Sequence, residues 1–160
     1  MIKLNEIQAK YGEYLVDEDK LKELLVKPKP KTVWDLENGD TYYFIETNGG
    51  VYSCYWLADE VDLRRRERGN VFLTEKEAEF EVERQKCESI MLKYGRRTFK
   101  YKDYNYLLRF DNANKKVEVD FGSICQFQGS IYFDTEELAQ KAIDEIGVER
   151  LKKYVFRVEE

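Results

Sequence analysis

The sequence predicts an α+β fold: an antiparallel sheet built from two β-β-β-α repeats, with helices on one face, plus a short helical N-terminal segment. Three observations carry this reading. Short runs rich in Tyr, Phe, Ile and Val alternate with Asn, Gly and Asp turns; two Thr-led helix starts each follow such runs; and the second half of the chain echoes the first at a nearly constant offset.

The first 26 residues carry two helix-like pieces. Leu4, Ile7 and Tyr11 fall at i, i+3 and i+7, and Leu21, Leu24 and Leu25 follow Asp17, which suits an N-cap. Lys27-Pro28-Lys29-Pro30-Lys31 then forbids helix, because each proline excludes the helical region from the residue before it. A boundary is expected here, giving an appendage and connector over 1–30 and an α+β domain over 31–160.

In that domain, Asp40 to Glu46 and Val51 to Trp56 read as strands of a hairpin turned by Thr47-Asn48-Gly49-Gly50, where Asn and Gly supply positive φ. A short strand, Val71 to Leu73, runs into Thr74-Glu75-Lys76-Glu77. In this capping box the Thr hydroxyl and the Glu carboxylate satisfy the first amides of a helix reaching about Tyr94. Phe80, Cys87, Ile90, Met91 and Tyr94 lie on one side of that helix and Ala78 and Val82 on another, which suits coverage on two faces.

The second half repeats the order: Tyr104 to Phe110, the turn Asp111-Asn112-Ala113-Asn114, Val117 to Phe121, a strand near Ile124 to Phe133, and a helix from Thr135. At an offset of 61, Phe72, Thr74, Glu75, Ala78 and Val82 fall on Phe133, Thr135, Glu136, Ala139 and Ile143. The repeat units span about 40–94 and 101–158. Leu138, Ala139, Ala142, Ile143 and Ile146 cover about 140° of the helical wheel, the width of a face laid on a sheet. Gly147 caps this helix, and Tyr154 to Phe156 suggests a last strand.

Composition sets the class. Apolar residues are 42%, aromatics 14% and charged residues 37%, with 9 Gly and 2 Pro, so a packed core under a heavily solvated surface is expected rather than disorder. Histidine is absent, which excludes Ser-His-Asp and Cys-His catalysis, His-ligated metals and a His-based pH switch. Cys54, Cys87 and Cys125 form no C-x-x-C pair and read as small buried hydrophobes of a reduced interior, so a cytoplasmic protein is expected. No apolar run approaches a membrane span. The net charge of −5 disfavours polyanions for the chain as a whole.

The runs KPKPKTVWDLENGDTYY from Lys27, GNVFLTEKEAE from Gly69 and IYFDTEELAQKAI from Ile131 resemble segments of small phage and prophage proteins of Gram-positive bacteria. The likeness covers about two thirds of the chain. It rests on strand-to-helix junctions and caps, so no catalytic or binding residue is carried over. What it implies is a setting among phage accessory genes, where inhibitors of bacterial defence such as anti-CRISPR proteins occur, and hence the host cytoplasm as compartment.

Charge is segregated along the chain. Between Trp34 and Asp62 stand seven acids, Asp35, Glu37, Asp40, Glu46, Asp59, Glu60 and Asp62, and no Lys or Arg. Asp40, Glu46, Asp59, Glu60 and Asp62, with Tyr42, Tyr52 and Trp56 as aromatic anchors, are expected to imitate a phosphate array and dock on the basic groove of a host nucleic-acid-binding protein, a CRISPR effector being the concrete form. The same pattern also suits rings in a core and acids that keep a sheet face soluble.

Two basic runs carry the rival reading. Arg64, Arg65, Arg66 and Arg68 follow the acids directly, and Arg96, Arg97, Lys100 and Lys102 alternate with Phe99, Tyr101 and Tyr104. Cations on phosphates with rings stacked on bases would make a single-stranded DNA or RNA accessory protein. The triple arginine equally suits pairing with Asp59, Glu60 and Asp62. A third reading, a metal-dependent nuclease, rests on the 59–62 acids or on Glu18-Asp19-Lys20. It lacks a phosphate-cradling loop and the spacing of a Ca²⁺ loop. No cofactor and no catalytic residue is expected; the oligomeric state is left open.

Overall fold

The computed structural model describes residues 4–12 and 32–158. The chain divides into two units, Met1–Lys31 and Thr32–Glu160. Of the first, one helix is described, α1 (Leu4–Tyr11), where the Asn5 side chain accepts from the Glu6 amide at 3.1 Å. The helix expected around Leu21, Leu24 and Leu25, the Pro-Lys connector and Glu18-Asp19-Lys20 lie outside the described residues.

The second unit is α+β, and its strands form two separate antiparallel pairs rather than one sheet. β1 (Thr41–Ile45) and β2 (Val51–Tyr55) pair in the register Tyr43↔Ser53. Their turn closes because Gly49 takes φ +80° and the Asn48 side chain accepts from the Gly50 amide at 2.8 Å. Alternation along β1 drives Tyr42 and Phe44 into a cluster with Leu36, Trp56 and Val71. The Tyr42 and Trp56 rings meet edge to face at 5.8 Å.

The expected third strand of each repeat shrinks to a bridge. Tyr43 exchanges both backbone hydrogen bonds with Phe72, and Tyr106 does the same with Phe133. In the first half, Gly69 at φ +70° and the Thr74 cap leave only four residues between a turn and a helix. The Asn70 amide lengthens that contact by mimicking a strand, accepting from Ile45 N at 2.8 Å and donating to Ile45 O at 2.9 Å. In the second half the strand predicted from Ile124 is a loop, because the Tyr132 hydroxyl bonds both Phe127 N and Phe127 O and curls the chain back before Gly129 turns at φ +74°.

An additional helix, α2 (Glu60–Glu67), for which the sequence predicts no element, occupies the charged stretch, with Asp59 as N-cap. α3 (Glu75–Tyr94) starts on the capping box of Thr74 and Glu77 and buries Ala78, Cys87 and Met91. β3 (Asn105–Asp111) and β4 (Lys116–Gly122) pair as Leu108↔Val119, turned by Asp111, whose carboxylate accepts from Ala113 N and Asn114 N. α4 (Glu136–Ile146) is capped by Thr135 and ends at Gly147, φ +88°. It lays Ala139, Ala142, Ile143 and Ile146 on a core with Leu108, Ile131 and Phe133.

The last strand predicted, Tyr154 to Phe156, is instead a helical extension. Val148–Arg150 leads into a π-helical turn, Leu151–Val155, closed by Phe156 N to Leu151 O at 3.0 Å. The wide turn seats Tyr154 against Phe80 and Phe156 against Phe110. Among the described residues, no helix is long and apolar enough to cross a membrane.

Candidate functional site

The acids of the first hairpin region do not stand outward as one array. Asp62 is buried at the start of α2, where its carboxylate accepts from the Tyr42 hydroxyl at 2.6 Å and from Leu57 N at 2.7 Å. Asp59 accepts from the Asp62 amide as the N-cap of α2, and Asp40 accepts from the Glu37 amide across a turn. Glu60 pairs with Arg64 one helical turn on, and Glu46 lies 4.0 Å from Arg65. Two of the three aromatic anchors lie inside as well. Tyr42 and Trp56 are core residues, while Tyr52 is about half exposed. Burial, with Asp62 beside it, raises the Tyr42 hydroxyl pKa well above the usual tyrosine range.

The first basic run turns its guanidiniums onto rings. Arg65 lies 3.5 Å over Phe44 and donates to the Tyr42 hydroxyl at 2.8 Å. Arg66 is stacked between exposed Trp34 and buried Trp56, at 4.7 Å and 4.6 Å, and its Nε is buried without a hydrogen-bond partner. Arg68 caps α2 through its backbone. Arg64 is held by Glu60.

The second basic run is organised by a fully buried amide. The Asn105 side chain accepts from both terminal nitrogens of Arg96 and from Lys100 N, and donates to Lys100 O, Asp103 O and Gly122 O. Every polar valence of the amide is thereby used, which shapes 96–105 into a defined loop. Arg96 and Lys100 also share Asp134, at 2.9 Å and 2.8 Å, and together, Lys100 foremost, they hold that carboxyl below the usual range. Arg97 pairs with Glu88. Lys102 lies over the Tyr101 ring at 5.3 Å. Of these four cations it alone has no carboxylate within 4.0 Å among the described residues.

What this loop exposes is apolar. Tyr101, Tyr104, Phe121, Ile124 and Phe127 are each at least half exposed. Tyr104 and Phe121 are 5.6 Å apart between centroids, both rings continue to Tyr106, and Lys102 N bonds Ser123 O, which brings 101–104 beside 121–127. Sequence reasoning missed Phe121, Ile124 and Phe127. The signal lay in the strand period: Phe121 shares a face with Val119 and Val117, yet stands beyond the reach of the helices that cover them.

Elsewhere the chemistry is structural. Cys87 is buried, and burial raises its thiol pKa. Cys54 and Cys125, expected in the core, are exposed. Arg84 bridges Glu81 and Glu88 on α3 beside a cavity of about 240 Å³ lined by Met91, Leu108, Ile131 and Phe156. Among the described residues, no group of three His, Cys, Asp or Glu is placed to hold a metal ion. Comparison of the chain with protein-family models, curated proteins and solved structures finds no match.

Proposed function

We propose that this chain is a non-enzymatic binding protein of the phage-inhibitor kind, which occupies a surface of a host nucleic-acid-handling protein through the aromatic end of the second hairpin. The observation that carries the reading is the cluster of Tyr101, Tyr104, Phe121, Ile124 and Phe127, exposed together on a chain in which 37% of residues are charged. Contiguous exposed rings are the usual make-up of the desolvated centre of a protein interface. The acids expected to carry docking are engaged inside the molecule, so binding rests on apolar contact and is only weakly sensitive to salt. Affinity capture from a bacterial lysate tests it. A bound protein should be lost from the triple variant Tyr104→Ser, Phe121→Ser, Phe127→Ser and kept by Asp59→Asn, Glu60→Gln. The opposite pattern restores the acidic surface.

A second reading, a single-stranded nucleic-acid accessory, is favoured by one observation: Lys102 lies over Tyr101 next to the same exposed rings. Its weakness is that Arg96, Arg97 and Lys100 are committed to Glu88 and Asp134. Fluorescence anisotropy with labelled oligonucleotides separates the two. Micromolar binding lost in Lys102→Glu supports the nucleic-acid reading, and no binding supports the protein partner.

A further inference from the structure

We infer that β2 is a self-pairing edge, and that two copies of this chain join antiparallel through Val51–Tyr55 about a two-fold axis at Ser53. The direction of each backbone group on β2 follows from its neighbour. Tyr43 turns its N–H and C=O away from β2 to Phe72, and Ile45 turns both to the Asn70 amide. Their partners Ser53 and Val51 are therefore non-hydrogen-bonded positions of the β1–β2 pair, and Tyr55 follows by the same alternation. The backbone N–H and C=O of Val51, Ser53 and Tyr55 all point to the outer edge, where they meet no partner among the described residues.

This edge also lacks the guards found on its counterpart. β4 carries Lys116, Glu118 and Asp120, and its outward amide at Phe121 is taken by the Asp120 side chain at 2.8 Å. β2 reads Val-Tyr-Ser-Cys-Tyr, without a charge or a proline, and four of its five residues are exposed. The outward residues are spaced symmetrically about Ser53. An antiparallel copy thus sets Val51 against Tyr55, Ser53 against its own equivalent and Tyr55 against Val51, and every free donor and acceptor of both edges is used. Shifting the register by two residues leaves an outward residue of each copy unpaired. The absence of charge means that no like charges meet within the paired strands, and the contact closes at two copies because each has spent its open edge.

Analytical ultracentrifugation of the full chain from about 5 µM to about 1 mM tests the pairing, since a dimer must follow mass action. The wild type is expected to show a monomer–dimer equilibrium. Ser53→Pro removes an N–H only from the free edge and should weaken association more than about tenfold. Far-UV circular dichroism checks that this variant folds, and Ser53→Lys replaces it if it does not. The register is read by cysteine cross-linking. Ser53→Cys in a Cys54→Ser, Cys125→Ser background lies opposite its copy and should give a disulfide-linked dimer with diamide. Native Cys54 sits on a diagonal about 7–8 Å from its copy and should not. A chain that stays monomeric throughout overturns the inference and leaves the edge to an extended segment of another protein. A dimer that survives both Ser53 variants, or links through Cys54, overturns it too.

Discussion

At the residue scale the first hairpin depends on one buried carboxylate. Asp62 holds the Tyr42 hydroxyl and the Leu57 amide, and Tyr42 passes the contact on to Arg65, so three separate pieces of chain meet at a single oxygen pair. Asp62→Ala leaves the buried Tyr42 hydroxyl and the part-buried Leu57 amide without their acceptor, and hydrogen bonds to a charged group are worth about 1.5–3 kcal/mol each. A loss of about 3 kcal/mol in urea unfolding is expected, with Tyr42→Phe costing less because Asp62 keeps the Leu57 amide. A change below about 0.5 kcal/mol in Asp62→Ala would show that the carboxylate is only a surface acid. Nothing near Asp62 in the sequence announces this role. Its partner Tyr42 is twenty positions away, and an acid followed by a run of arginines reads equally well as an exposed ion-pair cluster.

At the element scale, the junctions were legible and the spaces between them were not. Thr74 with Glu77, Thr135 and Gly147 start and stop helices by contacts within four residues, so their signal is local. α2 was missed because Glu60 to Glu67 has no apolar stripe; it is held by the Asp59 cap and by Arg65 and Arg66 lying on rings of other elements. The third strands shrank to bridges because turns at Gly69 and Gly129 stand too close to the helix caps. Where α3 ends, Gly95 is required by the bridge Arg96↔Tyr132. A Cβ there would lie 2.8 Å from the Tyr132 carbonyl and 2.9 Å from the Ile131 side chain. Gly95→Ala should therefore cost about 1–3 kcal/mol, read as a lowered midpoint of thermal unfolding. α3 also sets an acid limit. Arg84 holds the Glu81 carboxyl below its ordinary 4.5, against some burial. The unfolded chain takes up that proton first as pH falls, so the stability contributed by the pair is complete above about pH 4.5 and is lost as pH drops through the lowered folded value. Glu81→Gln should be less stable than wild type at pH 7, by a gap that narrows as pH falls below about 4.5; a gap that does not change with pH would show that the fold does not hold this carboxyl below its ordinary range.

On the scale of the whole molecule there are two apolar clusters, and one helix runs between the first hairpin and the second of them. Tyr42, Phe44, Trp56 and Val71 form the first, and Leu108, Phe133, Ile143 and Leu151 belong to the second. α3 touches β1 and β2 along one part of its length and α4 and the π-helical turn along another, with Cys87 and Met91 in the second core. Its apolar residues are spread around the wheel for that reason, which is what the sequence showed without saying what lay on either side. A helix packed on both the first hairpin and the second core cannot leave one and remain ordered on the other, so the second unit should unfold in a single cooperative step. Both tryptophans, Trp34 and Trp56, belong to the first cluster's side, where each faces Arg66. Their fluorescence therefore reports that side alone, while far-UV circular dichroism reports every helix. Ile143→Ala, a truncation in the second core, is expected to cost about 2–4 kcal/mol. The tryptophan-detected urea midpoint should fall together with the circular dichroism midpoint. If the dichroism transition moves and the fluorescence transition stays, α3 does not couple the first hairpin to the second core, and the two are independent folding units.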